Sequence, residues 1–263
     1  MMRLLPSGTL LLIVGLGVGG TTPSIAADPE GTSVTESEAR SVTKSDLEYS
    51  EAGTVTGTVR FVGAPPPAQP VDMGGDDFCL AAHGGTPPSV APVRSSSSGS
   101  LAEVIVYIRE GLGGQASDPS SQEIVLDQEG CMYGPRVLAV QAGQTLVIRN
   151  SDATLHNVHV SPPAGRGFNI GQPLRGLESR RVFEEPEGLV PVKCDIHGWM
   201  HATILVLDHP FFAVTTEDGR FSLDGLPPGQ YVLEAWHETL GTRTQSVTVR
   251  EDQQTSVDFS FES

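Results

Sequence analysis

The chain has 263 residues, 38% hydrophobic, 18% charged and 6% aromatic, which is too apolar for a disordered protein and too polar for a membrane bundle. Thirty-two Asp and Glu against sixteen Lys and Arg leave a net charge of −16. That balance repels nucleic-acid phosphates and anionic lipid headgroups alike, so neither is an expected partner.

Thirty Gly and twenty Pro put turn chemistry ahead of long helices, and the expected class is all-β, short strands joined by many turns. At the N-terminus, Arg3 precedes an apolar run from Leu10 to Val18, followed by Ser24, Ile25 and Ala26. Residues 1–26 read as a secretory signal peptide, because the run falls well short of the ~20 apolar residues of a spanning helix and the small residues suit cleavage after Ala26. Cleavage would leave no membrane anchor and would place the mature chain in a periplasm or outside the cell. Residues 27–51 are rich in Ser, Thr and Glu without apolar periodicity, and a disordered leader is expected there.

From Gly53 the pattern changes to alternation, with Val55, Val59 and Phe61 on one side and Thr54, Thr56, Thr58 and Arg60 on the other. That pattern predicts a half-buried strand. Pro65, Pro66, Pro67 and Pro70 end it, and the stretch through Cys79 and His83 to the serines at 95–98 shows no regular element. Val104 to Ile108 reads as a core strand. Further strands are predicted at 123–126, 137–140, 145–150, 157–160, 179–183 and 202–207. Four more follow at 211–215, 220–223, 231–236 and 244–250, with turns at Glu217-Asp218-Gly219 and Leu226-Pro227-Pro228-Gly229. Strand after strand with turn signals between them implies a sandwich or barrel.

The chemistry concentrates in Cys194-Asp195-Ile196-His197-Gly198-Trp199-Met200, where a thiolate, an imidazole and a thioether recur at three-residue intervals. This spacing suits one loop folded around one metal ion. Upstream, His156 stands at a strand boundary in Asn150-Ser151-Asp152-Ala153-Thr154-Leu155-His156-Asn157. Thiolate and thioether favour soft Cu(I), and imidazole accommodates both copper oxidation states. Zinc would recruit four strong ligands, for which a thioether is a poor choice.

The segment from about Glu123 to Asp208 resembles a cupredoxin, the family of plastocyanin and amicyanin. The likeness is carried by Tyr133-Gly134-Pro135, Val140, Gly143, Leu146, Ile148, Asn150, Leu155-His156-Asn157-Val158-His159 and the short C-x-x-H-x-x-M loop. The resemblance implies a Greek-key β-sandwich with His156, Cys194 and His197 as equatorial ligands of one copper ion and Met200 as the axial one. It also implies that Asn157 ties the two ligand loops together. Asp195 stands where a hydroxyl residue is frequent, and a carboxylate so placed would favour Cu(II). Gly198 replaces a frequent Pro, which loosens the loop.

With Cys194 as a ligand, Cys79 and Cys131 remain to form a disulfide, the alternative being two buried thiols. His159, three residues from His156, should face away in the strand, and His201 should turn away from the axial position, to stand behind the ligands or at the surface. His83 reads as a loop histidine. Trp199 could mark an electron-entry surface or pack on the core.

Gly53–Gly63 and Phe211–Glu238 resemble a carboxypeptidase-regulatory-like or transthyretin-like β-sandwich, through Thr216-Glu217-Asp218-Gly219-Arg220-Phe221 and Leu226-Pro227-Pro228-Gly229-Gln230-Tyr231. The expected organisation inserts the cupredoxin at 119–208 into a discontinuous regulatory-like sandwich at 52–118 and 209–263. The expected function is an exported one-electron carrier that meets redox proteins transiently as a monomer and turns over no substrate. Copper delivery or storage, or a structural β-module with incidental metal, are the alternatives.

Overall fold

Apolar side chains at every second position, punctuated by turns, are what half-buried strands require, and this chain supplies that pattern repeatedly. The computed structural model describes residues 52–114, 117–162 and 165–262. The signal peptide expected at 1–26 and the leader at 27–51 lie outside the described residues. In chain order the elements are β1 (Gly53–Val62), β2 (Gln69–Pro70), α1 (Asp77–Ala82), β3 (Ser89–Val90), β4 (Ile105–Glu110), β5 (Ile124–Glu129) and β6 (Met132–Gly134). Then come β7 (Val137–Gln141), β8 (Thr145–Asn150), β9 (His156–Val160), β10 (Phe168–Gln172), β11 (Leu177–Val182), β12 (Gly188–Lys193) and β13 (His201–Leu207). The chain closes with β14 (Phe212–Val214), β15 (Arg220–Leu226), β16 (Gly229–His237), β17 (Gly241–Val249), β18 (Gln254–Ser256) and β19 (Phe259–Glu262).

The fold is all-β and contains two sandwiches. One faces the sheet β10-β9-β12-β13-β7 against β11-β8-β5-β6, around Leu126, Val140, Leu146, Ile148, Val158, Val190, Val192 and Ile204. The other faces β15-β1-β18, with β19 also on β1, against β14-β4-β16-β17. Its core holds Val59, Phe61, Leu101, Val106, Ile108, Leu233, Phe259 and Phe261. The first sandwich is therefore built from β5 to β13, and the second from strands before and after it.

Strands buried on both faces join the two. Along β4, Val106 and Ile108 point into one sandwich while Ile105 and Tyr107 point to a junction shared with Val137, Ala139, Leu205, Phe212, Val214 and Trp236. The near-continuous apolar run of Val104 to Ile108 thus serves two packed layers. At the edge of this junction Arg136 Nη2 lies 3.0 Å from Glu103 Oε2 and 3.5 Å from Glu238 Oε2. Arg94 Nη1 holds the other Glu103 oxygen at 2.8 Å.

Burial acts to raise the Glu103 pKa, but hydrogen bonding and charge from Arg94 and Arg136 outweigh it, and the carboxyl sits below the usual range. Its contribution is therefore complete above the ordinary carboxylate pKa and fades as pH falls through the folded value. Glu103→Gln is expected to cost about 2 kcal/mol at neutral pH, mainly by leaving Arg136 short of a partner. Urea unfolding at neutral pH and in acid checks this, since the difference between the two proteins should shrink in acid.

Strands β3, β10, β18 and β19 are absent from the predicted elements, and two further departures from the sequence expectation bear on the site. The sequence predicts no regular element between Pro70 and Ser95, yet α1 forms there, capped by Asp76, whose Oδ1 accepts from Cys79 N at 2.9 Å. Its six residues are too few to display a helical stripe. Although α1 lies in the 52–118 stretch, Met73 and Cys79 pack into the core of the β5–β13 sandwich. The second departure is β12, which contains Pro191 and is absent from the predicted strands. β12 pairs with β9 through Val192 and Lys193, and Pro191 O still accepts from Ser161 N at 3.4 Å, so the missing Pro191 N–H removes only the reciprocal bond of the terminal rung, where a proline is tolerated.

Candidate metal centre

A seven-residue loop, Cys194 to Met200, joins β12 to β13, whose last paired rung is Lys193 opposite His201. Pairing of these strands brings the loop ends together. Cys194 N donates to Met200 O at 3.1 Å, and Met200 N donates to His197 O at 2.9 Å. His197 N in turn points at Cys194 Sγ, 3.4 Å away. The three-residue spacing of Cys, His and Met is the spacing of a tight loop with both ends anchored.

His156 opens β9, beside this loop. Its ring is fully buried, and its Nδ1 lies 2.9 Å from His197 Nδ1. Cys194 Sγ is 3.8 Å from the same His197 nitrogen. Donor atoms of His156, Cys194 and His197 all lie within 4.8 Å of one another, and all three residues are buried. One ion with metal–ligand bonds of about 2 Å could reach all three. Met200 is wholly buried in the same core.

The back of each imidazole is also held. His156 Nε2 lies 2.9 Å from Asp152 Oδ2, and Asp152 accepts from Gly130 N at 2.8 Å and Cys131 N at 2.7 Å. His197 Nε2 lies 3.5 Å from Asp76 Oδ2, at the start of α1. A carboxylate behind an imidazole fixes its tautomer and orientation and raises its basicity as a metal ligand. Sequence reading assigns neither Asp152 nor Asp76 a role. Asp152 is visible four residues before His156, but Asp76 depends on a helix whose docking only the folded chain reveals.

Burial works against charge throughout the cluster, and hydrogen bonding overrides it for three of the four groups. The Cys194 thiol is pushed up by burial but held down by His156 and by loop N–H groups, leaving it below the ordinary value. His156 is lowered by burial but raised by Asp152 and Cys194, and ends above its ordinary value. Burial raises Asp152, while His156 and the Cys131 and Gly130 N–H groups bring it down. His197 is lowered, first by burial and then by the charge of His156. Hydrogen bonding within the cluster thus favours the charged forms of Cys194, Asp152 and His156, while burial and the neighbouring His156 disfavour charge on His197.

Asn157 joins the two ligand segments. Its Oδ1 accepts from Asp195 N at 2.8 Å and lies 3.3 Å from Cys194 Sγ. Its Nδ2 donates to Asp195 Oδ2 at 3.0 Å and to Asn169 Oδ1 at 2.7 Å. Asp195 therefore turns outward, against the expectation of a carboxylate beside the metal. It meets His159 Nδ1 at 3.0 Å and Lys193 Nζ at 3.2 Å, and its pKa is pushed well below the carboxylate range, chiefly by His159. Replacing Asn157 by Leu is expected to cost about 1–3 kcal/mol, by unpairing Asp195 N, and to weaken metal binding roughly 10- to 100-fold. Thermal unfolding and chelator competition measure the two effects.

A disulfide joins Cys79 to Cys131, with Cα atoms 5.5 Å apart, and Cys194 is the free cysteine among the described residues. His83 caps α1 and donates from Nε2 to Gly130 O at 2.7 Å. Trp199 is half-buried, donates to Cys131 O at 2.9 Å and leans on the His197 ring with centroids 5.1 Å apart. His201 lies exposed with Nδ1 3.0 Å from Trp199 O.

No helix among the described residues is long and apolar enough to cross a membrane. Residues 199–262 match the model of the carboxypeptidase regulatory-like domain family. The match begins ten residues before the expected start at 209 and takes in β13, which the structure pairs with β12 and β7. No curated protein matches the chain. Among solved structures, the chain is similar to a Cu-containing nitrite reductase from Thermus scotoductus SA-01, at 25% identity and TM-score 0.31, over 38% of this chain and 25% of that one. It thus spans a quarter of the reductase. A purple cupredoxin from Nitrosopumilus maritimus aligns at 26% identity and TM-score 0.27, over 32% of this chain and 97% of that one. The Cu(I) form of a methionine-to-alanine mutant of amicyanin aligns at 22% identity and TM-score 0.29, covering 38% of this chain and 97% of that one.

Proposed function

We propose that this chain is an exported one-electron carrier that holds a single copper ion through His156, Cys194 and His197, with Met200 as a weak fourth ligand. The observation that carries this reading is the convergence of two imidazole Nδ1 atoms and one cysteine sulfur in a buried cluster whose side chains are already oriented. Bound copper would supply a couple between Cu(II) and Cu(I). The protein's part is rigidity: Asp152 fixes His156, Asn157 fixes the Cys194 loop, and the paired ends of that loop resist expansion when charge changes. Burial of all three ligands excludes water from the metal. Partners are redox proteins met transiently by a monomer, and no substrate is transformed.

Protein-film voltammetry tests this reading. A reversible one-electron wave with copper retained through repeated cycles is expected. Rapid handover to a chelator after reduction would favour copper delivery instead.

A further inference from the structure

The disulfide lies against both imidazoles of the candidate centre. Cys79 Sγ, Cys131 Sγ and a His197 ring nitrogen fall within 4.8 Å of one another, and Cys131 Sγ, an Asp152 oxygen and a His156 ring nitrogen form a second such group. Both cysteines are fully buried. A disulfide sulfur is a poor ligand, but each thiolate released from it is a soft donor of the kind that holds Cu(I).

The surroundings join this bond to the ligand loop. Cys79 sits in α1, a six-residue helix that rests on the β5–β6 turn through the disulfide and the His83–Gly130 hydrogen bond. Asp76 at the start of α1 faces His197 Nε2, and Trp199 of the ligand loop donates to Cys131 O. Breaking the bond would therefore free two sulfurs and loosen the cover of His197 together.

We propose that Cys79, Cys131 and His197 form a second, thiol-gated soft-metal site, closed while the disulfide is intact and opened when it is reduced. The reductant is a dithiol protein of the thioredoxin class. One of its thiolates attacks a sulfur of the bond, its second thiol resolves the mixed disulfide, and two electrons and two protons end on Cys79 and Cys131 while the donor becomes a disulfide. Local opening of α1, whose Phe78 is already exposed, admits the donor. Cu(I) then displaces the thiol protons and gains sulfur ligands beside His197. The site shares His197 with the carrier centre and rests on the copper reading of that centre. Reduction would thus convert a centre built for electron transfer into one built to retain Cu(I).

The full chain decides the matter in two anaerobic forms, one oxidised and one treated with dithiothreitol that is then removed. Free thiols should rise from one to three. Copper K-edge X-ray absorption should count at least one additional sulfur at thiolate distance in the reduced form. Competition with bathocuproine disulfonate should show Cu(I) held at least about tenfold more tightly, with both changes reversed by reoxidation. Cys79→Ser with Cys131→Ser should show neither change after the same treatment. If that variant misfolds, the reduction and reoxidation cycle of the unaltered chain is sufficient. Three counted thiols with unchanged sulfur number and affinity would overturn the proposal and leave the carrier reading standing. Copper bound only after reduction would support this site and sink the carrier reading, and copper bound by neither form would end both.

Discussion

Cys194→Ser should abolish the thiolate-to-copper absorption of the copper-loaded protein and weaken Cu(I) binding by at least about 100-fold, while the fold survives. The expectation follows from what each atom does. Cys194 is the one free cysteine among the described residues, its thiol ionises on binding a metal, and a hydroxyl in its place stays protonated and hard, a mismatch for Cu(I). The scaffold should tolerate the change, because the loop is closed by backbone bonds between Cys194 and Met200 and between Met200 and His197. Asp195 N would still donate to Asn157 Oδ1. Absorption spectra and chelator competition read the loss, and circular dichroism reads the retained fold. A variant that keeps the intense band would place the sulfur elsewhere and dissolve the proposed centre.

Removing the disulfide with Cys131→Ser should have the largest effect on stability. The bond closes a loop between residues 52 apart in sequence, and on the chain-entropy model that constrains the unfolded state by about 4 kcal/mol. Cys131 also lies wholly within the core of the β5–β13 sandwich with Met73 and Cys79, so the new hydroxyl and the freed helix add to the loss. Urea unfolding under oxidising conditions should show a midpoint well below that of the parent protein. Hydrogen exchange should rise first at α1 and at the loop carrying His197, because Asp76 and Trp199 link these to the bond. Exchange raised uniformly across both sandwiches would contradict a local role for α1.

The all-β class is legible in the sequence because alternation and Gly and Pro punctuation are local signals. Val55, Val59 and Phe61 lie inside as their spacing requires. The residues singled out as ligands are legible for a related reason: Cys194, His197 and Met200 lie in one loop, so their spacing in sequence nearly is their geometry. His156 needs the resemblance, since only the antiparallel pairing of β9 with β12 brings it to Cys194.

What stays hidden depends on distant contacts. Asp76 reaches His197 across more than a hundred residues because α1 docks on another sandwich from the one its chain neighbours build. The outward turn of Asp195 is not legible because it needs His159, Lys193 and Asn169, two of which come from other strands. The double burial of β4 is visible as an apolar run, but not the junction it serves.

The most direct test is a titration of the oxidised, metal-free chain with Cu(II), followed by optical absorption and electron paramagnetic resonance. The account predicts saturation at one copper per chain, an intense blue or green thiolate band and a narrow copper hyperfine splitting. A colourless adduct with an ordinary tetragonal spectrum would contradict it.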